Sequence, residues 1–255
     1  MKMNKTIFIR YQDEIPITVN TYIAEYGFRR LGYEVYRFTK DEVTDWISES
    51  LEQLKLLRSY IFVGGTHSLL KIIDLMQVHK PLTYNPHEYL PGYCNRNIYR
   101  TTLAKAREIT KAGCDPFFMK PAEDTKVFTG YVVRSEIDLL KINSLSDELP
   151  ILISDIMDIK SEYRCFVNRK NLLDIRHYNG DFRLFPNFNI IEQAIKDFTN
   201  QPVSYTLDFA ILADGSMALI EINDGYALGY CGIHPVPYCK FLEDRWMEIA
   251  SNIIY

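Results

Sequence analysis

The sequence lacks the features that mark secreted, disulfide-bonded or membrane-spanning proteins. Its five cysteines are an odd number, lie far apart and include no Cys-x-x-Cys pair, so neither a zinc site nor a disulfide framework is predicted. The apolar run near the N-terminus covers only residues 7–9, and no segment approaches the roughly 20 apolar residues of a membrane span. We therefore expect a cytoplasmic protein without a membrane partner.

An excess of positive charge, internal repeats and low-complexity tracts are also missing. The formal net charge is -4, and the aromatic residues are not interleaved with a basic run, so no nucleic-acid partner is expected. With 47% hydrophobic and 24% charged residues, the composition is that of an ordinary folded protein. A chain of 255 residues is long enough for two compact units.

The first third of the chain contains a regular alternation of short β-rich runs and helical runs. In order these are TIFIR, VNTYIAEYGFRRLG, YEVYRF, DEVTDWISESLEQLKLLRS, YIFVGG, THSLLKIIDLMQVHK and PLTYN. Such alternation predicts a three-layer α/β domain with a largely parallel sheet, which we assign to residues 1–92. The Gly64-Gly65-Thr66 turn allows an anion site at a helix N-terminus, but we favour a plain turn with Thr66 as the N-cap.

From residue 93 to residue 255 the pattern changes to antiparallel sheet. A helix is predicted over residues 97–113, and another over residues 190–200. The strand-like runs around and between them are PFFMKP, FTGYVVRS, PILISDIMDI, YRCFVNRKNLLDIRHY and the hairpin YTLDFAILADGSMALIEINDG. The predicted fold class is thus mixed α/β (α+β), with a second domain over residues 93–255.

Three oxygen-bearing side chains interrupt the apolar hairpin. Asp214-Gly215 between two β runs predicts a two-residue turn, which places Asp208 directly opposite Glu221 and Asn223 on the same face. The opposite face would then carry Leu207, Phe209, Ile211, Ala218, Ile220 and Ile222.

A cation is the simplest reason for two facing carboxylates in such surroundings. Like charges directly opposite each other repel, and burying them unpaired is costly. Arg or Lys could compensate, but two carboxylates and an amide suit Mg²⁺ or Mn²⁺ with phosphate oxygens and waters. The alternative is a solvated polar edge of the hairpin, which the apolar neighbours on the acidic face disfavour.

The D-x12-E-x-N pattern of Asp208, Glu221 and Asn223 resembles the metal-binding motif of the ATP-grasp superfamily, which includes the D-alanine:D-alanine ligases. Other motifs follow the same order, namely K-P, K-x-F-T-G, E-Y-R and E-I-N-D-G. The resemblance covers about residues 95–230. It implies an ATP-grasp domain with antiparallel sheets, preceded by a Rossmann-like pre-ATP-grasp domain, with ATP and Mg²⁺ (or Mn²⁺) as cofactors.

The resemblance also implies roles for individual residues. Asp208, Glu221 and Asn223 would bind the metal, Lys120 the nucleotide phosphates, and Glu162 the ribose. The other nucleotide-contacting residues implied are Arg100, then Lys126, Thr129 and Gly130 in a flexible loop over residues 122–130, and Ser154, Asp155, Ile156 and Met157 in the linker at the adenine edge. Arg164, Arg176 and Lys126 would take part in catalysis. Lys126 could equally belong to an ordinary polar loop, and Glu162 with Arg164 to an ion-paired surface strip.

The function that the resemblance implies is an ATP-dependent ligase. It would join a small-molecule or peptide carboxylate to an amine through an acyl-phosphate, forming a C–N bond and releasing ADP and phosphate. Residues 224–235, DGYALGYCGIHP, would shape the acceptor pocket, or simply make turns. The alternatives are a kinase that phosphorylates a hydroxyl and a non-catalytic ATP-binding regulatory module. The substrates stay open, as does the oligomeric state, including a homodimer.

Overall fold

The computed structural model describes residues 6–12, 15–39, 42, 51–123 and 127–253. The first part of the chain folds around a parallel sheet with strand order β3-β1-β4, to which β2 adds antiparallel to β1. Its elements are β1 (Thr6–Gln12), β2 (Ile15–Pro16), α1 (Val19–Arg30), β3 (Glu34–Phe38), α2 (Leu51–Ser59), β4 (Ile61–Val63) and α3 (Thr66–Leu75). Over the described residues the predicted strand–helix alternation is confirmed, except that residues 81–85 form no strand; residues 41 and 43–50 of the second predicted helix lie outside the described residues.

Local sequence explains how these helices begin. At α1, the Thr18 hydroxyl accepts a hydrogen bond from the backbone N–H of Thr21 at 3.4 Å in a capping box, and Ala24 and Phe28, four residues apart, are fully buried. Helix α3 begins differently, because its N-cap is Gly65, which offers no side chain. The prediction of Thr66 as N-cap is therefore wrong by one residue.

A four-stranded antiparallel sheet, order β5-β8-β6-β7, follows. After the short helix α4 (Pro86–Tyr89), its elements are β5 (Ile98–Thr102), α5 (Leu103–Lys111), β6 (Phe117–Pro121), β7 (Tyr131–Val133), α6 (Glu136–Leu139) and β8 (Pro150–Ser154). The single helix predicted over residues 97–113 is wrong in its first part, because residues 98–102 pair with β8. The β-branched residues of IYRTT favour this strand, and Thr102 caps α5 by accepting from the Lys105 N–H.

A second four-stranded antiparallel sheet, order β10-β9-β11-β12, carries the hairpin. Its elements are β9 (Ile159–Asn168), β10 (Asn171–Gly180), α7 (Phe188–Asp197), β11 (Ser204–Leu212) and β12 (Met217–Asp224). One face packs its apolar side chains against α7, among them Val167, Leu207 and Phe209. The opposite face carries Phe166 toward the C-terminal helix and, further along, the predicted site.

The turn of the hairpin is one residue longer than predicted. Leu212 donates its N–H to the Ser216 carbonyl at 2.9 Å, and Gly215 has a φ of 82°, as in a three-residue loop. A β-bulge leaves Ile220 as an extra residue, so Asp208 still pairs with Glu221. The predicted pairing is confirmed, but the face assignment between turn and bulge is wrong: Leu219, not Ile220, packs in the α7 core.

The C-terminal helix α8 (Pro235–Ser251) packs against the first sheet as well as the last. The Trp246 ring packs at a tilt against Phe62, with centroids 5.5 Å apart, and donates to the Tyr60 carbonyl at 3.0 Å, while Phe241 contacts Phe166 of β9. One hydrophobic core therefore joins the two halves of the chain, and the boundary at residue 92 stays a prediction. No helix within the described ranges is long and apolar enough to cross a lipid bilayer.

A buried ion pair fixes α8 to the end of β12. Arg245 donates to both carboxylate oxygens of Asp224, through Nε at 2.8 Å and Nη2 at 2.5 Å, and both side chains are over nine-tenths buried. Removing one partner of such a pair leaves an uncompensated charge inside the protein.

We predict that Arg245→Leu lowers the free energy of unfolding by roughly 3–5 kcal/mol, because Asp224 loses its counter-ion. Urea denaturation at pH 7 measures this. The control is Arg169→Leu, which removes an exposed partner of Asp244 and should have a much smaller effect. Equal losses in the two variants would contradict the assignment of Asp224–Arg245 as a structural clamp.

Candidate active site

Four charged residues form one row across the second antiparallel sheet. Arg176 of β10 pairs with Arg164 of β9, Arg164 with Asp208 of β11, and Asp208 with Glu221 of β12. Asn223 lies two residues further along β12, and its Nδ2 is 3.3 Å from Asp208 Oδ2 and 3.3 Å from Glu221 Oε2. The three predicted metal ligands are thus brought together, with both arginines on the same face.

Arg164 is the counter-ion of Asp208. Its Nε lies 3.0 Å from Asp208 Oδ1 and its Nη2 2.6 Å from Oδ2, a bidentate pair in which Asp208 is only 1% exposed. Burial opposes the charge on the guanidinium, but the contacts with Asp208 outweigh it and raise the pKa of Arg164. Arg176 is more exposed and pairs with Asp174 at 2.6 Å. Arg164 is therefore paired with the buried Asp208, and not with Glu162 in the ion-paired surface strip considered from the sequence.

The donor set fits a hard divalent cation. Glu221 is exposed, and Asp208 retains lone pairs beside its bonds to Arg164, so both can offer oxygen. The Asn223 amide points its nitrogen at both carboxylates, and a rotation of the amide would present its oxygen instead. Within the described ranges there is no group of three His, Cys, Asp or Glu side chains that could hold a metal, so the amide is needed to complete this set.

A cavity of about 390 Å³ lies between the two antiparallel sheets, beside this row. It brings together six of the predicted residues, namely Lys120, Ser154, Asp155, Ile156, Met157 and Glu162, and it reaches Glu221. Its wall is mostly apolar, with Ile98, Phe118, Val132, Leu152, Ile159 and Ile220. The linker after β8 is held in place because Asp155 accepts hydrogen bonds from the backbone N–H and the side chain of Asn97 at 3.0 and 2.8 Å. An apolar slot with a few fixed polar groups suits a planar ring system.

A second cavity of about 540 Å³ adjoins the first and shares Lys120 and Glu221 with it. The predicted loop residues Thr129 and Gly130 line it, as do Asn223 and Asp224. Lys126 lies outside the described residues. Arg100 is half exposed on β5, pairs with Glu123 at 2.8 Å and is not part of the first cavity's lining, so its nucleotide contact stays a prediction.

The comparisons with known proteins identify the fold family. A model of the ATP-grasp domain, R2K clade family 2, matches residues 93–241, more than half of the chain. This protein belongs to the ATP-grasp superfamily. This match confirms the ATP-grasp fold that the resemblance of the hairpin motif implies. None of the curated proteins compared with the chain matches it.

Solved structures with this fold cover nearly the whole chain at low identity. The ATP-grasp ligase PsnB in complex with a minimal precursor is 13% identical, with a TM-score of 0.55 over 94% of this chain and 99% of that one. For N5-carboxyaminoimidazole synthetase from Staphylococcus aureus the identity is 14% and the TM-score 0.57, over 100% and 79%. For D-alanine–D-alanine ligase from Bacillus anthracis the values are 12% and 0.54, over 97% and 98%. At such identities the likeness concerns the fold.

Several residues of this ATP-grasp cavity were not predicted from the sequence. Tyr178 and Ile220 line it as the extra residues of two β-bulges, one in each edge strand of the sheet, and no turn signal announces a bulge. Phe118 could have been predicted, because it lies two residues before Lys120 on β6 and so shares its face. His87 and Arg96 lie between residues 86 and 96, a stretch for which the sequence predicts no helix, strand or site. Burial lowers the pKa of His87, which favours a neutral ring, and its Nδ1 has no hydrogen-bond partner within the described ranges.

Glu162 is held by its neighbours on β10. The Tyr178 hydroxyl donates to one carboxylate oxygen at 2.9 Å, and Asn179 Nδ2 donates to the other at 2.5 Å. The Arg164 guanidinium also lies over the Tyr178 ring, 5.6 Å from its centroid. One tyrosine thus links the carboxylate of the first cavity to the arginine of the charged row.

We predict that Gly130→Ala destabilises the protein by about 1–3 kcal/mol and weakens ADP binding, because the new methyl group has no room. A Cβ there would lie 2.6 Å from Phe118 Cζ and 3.2 Å from the Met119 carbonyl, next to Lys120. Urea denaturation and titration calorimetry measure the two effects. Gly92→Ala, with nothing within 4 Å, is the control, and similar behaviour of both variants would contradict this account.

Proposed function

We propose that this ATP-grasp protein is an ATP-dependent ligase that activates a carboxylate as an acyl-phosphate and transfers the acyl group to an amine. The observation that carries the proposal is the position of Lys120 and Glu221, which line both cavities at their junction beside the charged row. A phosphoryl group passing from one cavity to the other would cross this point. The relatives' fold supports nucleotide use, since one similar synthetase structure is a complex with ADP.

The nucleotide would occupy the first cavity. The backbone of the linker over residues 154–157 faces the base, the apolar wall encloses it, and Glu162 accepts hydrogen bonds from the ribose hydroxyls. Lys120 neutralises phosphate oxygens at the junction. Arg100 and Lys126 would approach the phosphates from β5 and from the loop over residues 122–130.

The charged row would carry the chemistry. Asp208, Glu221 and Asn223 would hold Mg²⁺ or Mn²⁺, which when bound would supply positive charge beside the transferred phosphoryl group. Arg164 holds the Asp208 carboxylate in place through two hydrogen bonds, and Arg176 is the more exposed arginine of the row, near the loop of residues 224–235. Both can approach the equatorial phosphoryl oxygens.

The second cavity would receive the carboxylate and the amine. In the balanced reaction, a carboxylate oxygen attacks the γ-phosphorus and ADP leaves; the amine then attacks the acyl carbon, phosphate leaves, and the amine loses a proton. Thr129 and Gly130 on the loop side and Tyr226 on the side of residues 224–235 line this space. No side-chain nucleophile is required, and closure of the loop would exclude water from the acyl-phosphate.

A screen for ADP release over mixtures of amino acids and peptides tests the proposal, and Glu221→Ala is the key variant. We expect release that requires both a carboxylate and an amine, and a fall in kcat of about 100-fold or more in Glu221→Ala, because one ligand of the cation is lost. Glu136→Ala, an exposed change on α6, is the matched control.

Other outcomes would separate the alternatives. A stable phosphoester formed on a hydroxyl compound would identify a kinase. Binding of ATP without ADP release in any mixture would favour a non-catalytic module. Full activity of Glu221→Ala would remove the metal assignment.

We also predict that Tyr178→Phe raises the KM for ATP several-fold with little change in kcat, because Glu162 loses one of its two donors while the ring over Arg164 remains. Steady-state kinetics with varied ATP measures this. Tyr178→Leu, which also removes the ring, should lower kcat as well. A change in kcat alone for Tyr178→Phe would contradict a ribose role for Glu162.

A further inference from the structure

The side chain of Arg96 joins three chain segments around the first cavity. Its Nη1 donates to the Cys94 carbonyl at 2.9 Å and to the Leu219 carbonyl at 2.9 Å, and it lies 3.8 Å from the Met157 sulfur. These partners belong to the segment before β5, to β12 and to the linker after β8. Burial lowers the pKa of Arg96, which shows that keeping a charged guanidinium at this position costs desolvation free energy.

The Leu219 carbonyl belongs to the peptide bond that enters the β-bulge. Leu219 and Ile222 are three residues apart, yet both are buried in the α7 core, which is possible only with one extra residue between them. These two side chains therefore fix where the bulge lies. They do not fix the direction of the two residues between them, Ile220 and Glu221, which both face the first cavity.

We propose that Arg96 is a positioning residue that holds the bulge of β12, so that Ile220 faces the base and Glu221 faces Asp208. Arg96 acts through the Leu219–Ile220 peptide and reaches neither carboxylate of the metal set. It thereby couples the base end of the first cavity to the cation end. That a base and a cation bind here rests on the proposed function. That Arg96 holds the bulge rests on its hydrogen bonds alone.

A matched control exists within the chain. Arg107 on α5 also donates to two backbone carbonyls, those of Ile142 and Asn143, both at 3.3 Å, in addition to its ion pair with Asp147, and it lies away from both cavities. Arg107→Gln therefore removes a structural arginine of similar kind. Comparison with Arg96→Gln separates positioning at the site from a general loss of packing.

The experiment measures the dissociation constant of ADP with and without Mn²⁺, and amide hydrogen exchange over residues 217–224. In Arg96→Gln we expect the Mn²⁺-dependent gain in ADP affinity to fall about tenfold and exchange at residues 220 and 221 to rise, with the midpoint of unfolding close to that of Arg107→Gln. Arg96→Lys keeps the charge without the planar fork and should lose part of the gain, so it serves if Arg96→Gln does not fold.

Two results would overturn the proposal: an unchanged Mn²⁺-dependent gain with unchanged exchange in Arg96→Gln, or the same losses in Arg107→Gln. A wild-type protein without any Mn²⁺-dependent gain would instead count against the metal part of the proposed function. The exchange comparison between the two arginine variants still decides the role of Arg96 in that case.

Discussion

The register of β12 on β11 is the constraint on which the site depends. Strand side chains alternate between faces, so a shift of one residue would turn Glu221 away from Asp208 and toward α7. Asp208 is simultaneously paired with Arg164 on its other side, which makes β11 the common reference for both neighbours. The cavities, the charged row and the candidate cation site are all arranged relative to this strand.

The sequence predicted the pairing of Asp208 with Glu221 correctly, because two errors in the predicted hairpin cancel each other. A two-residue turn at Asp214-Gly215 places Asp208 opposite Glu221; the actual turn is one residue longer, and the extra residue Ile220 restores the pairing. The apolar pattern alone did not reveal the bulge, because Ile220 and Ile222 also fit one face of a regular strand. Which residue of a strand bulges is decided by tertiary contacts, here with α7 and Arg96.

The order of the motifs along the chain predicted which residues line the first cavity. Local secondary-structure propensity was less successful for the strands and loops around it. Lys120, the linker over residues 154–157 and Glu162 all line it, since alternation on two facing sheets places them there. The helix predicted over residues 97–113 is wrong in its first part. Residues 98–102 pair with β8 as a strand, and only the residues that follow them form a helix. His87 and Arg96 were missed for a related reason: a stretch without periodicity gives no indication of what it faces.

The distribution of charge allows the fold to form without a cation. Each buried carboxylate of β11 and β12 has its own arginine, Arg164 for Asp208 and Arg245 for Asp224, and each pair is bidentate. Glu221, the remaining carboxylate of the row, is exposed and can be solvated. These two arginines offset part of the desolvation cost of the two buried acids, and the remainder raises the pKa of both carboxyls. The cation that we propose would then have only to complete an acidic edge that the protein already holds in place, so its binding could respond to the nucleotide without being required for folding.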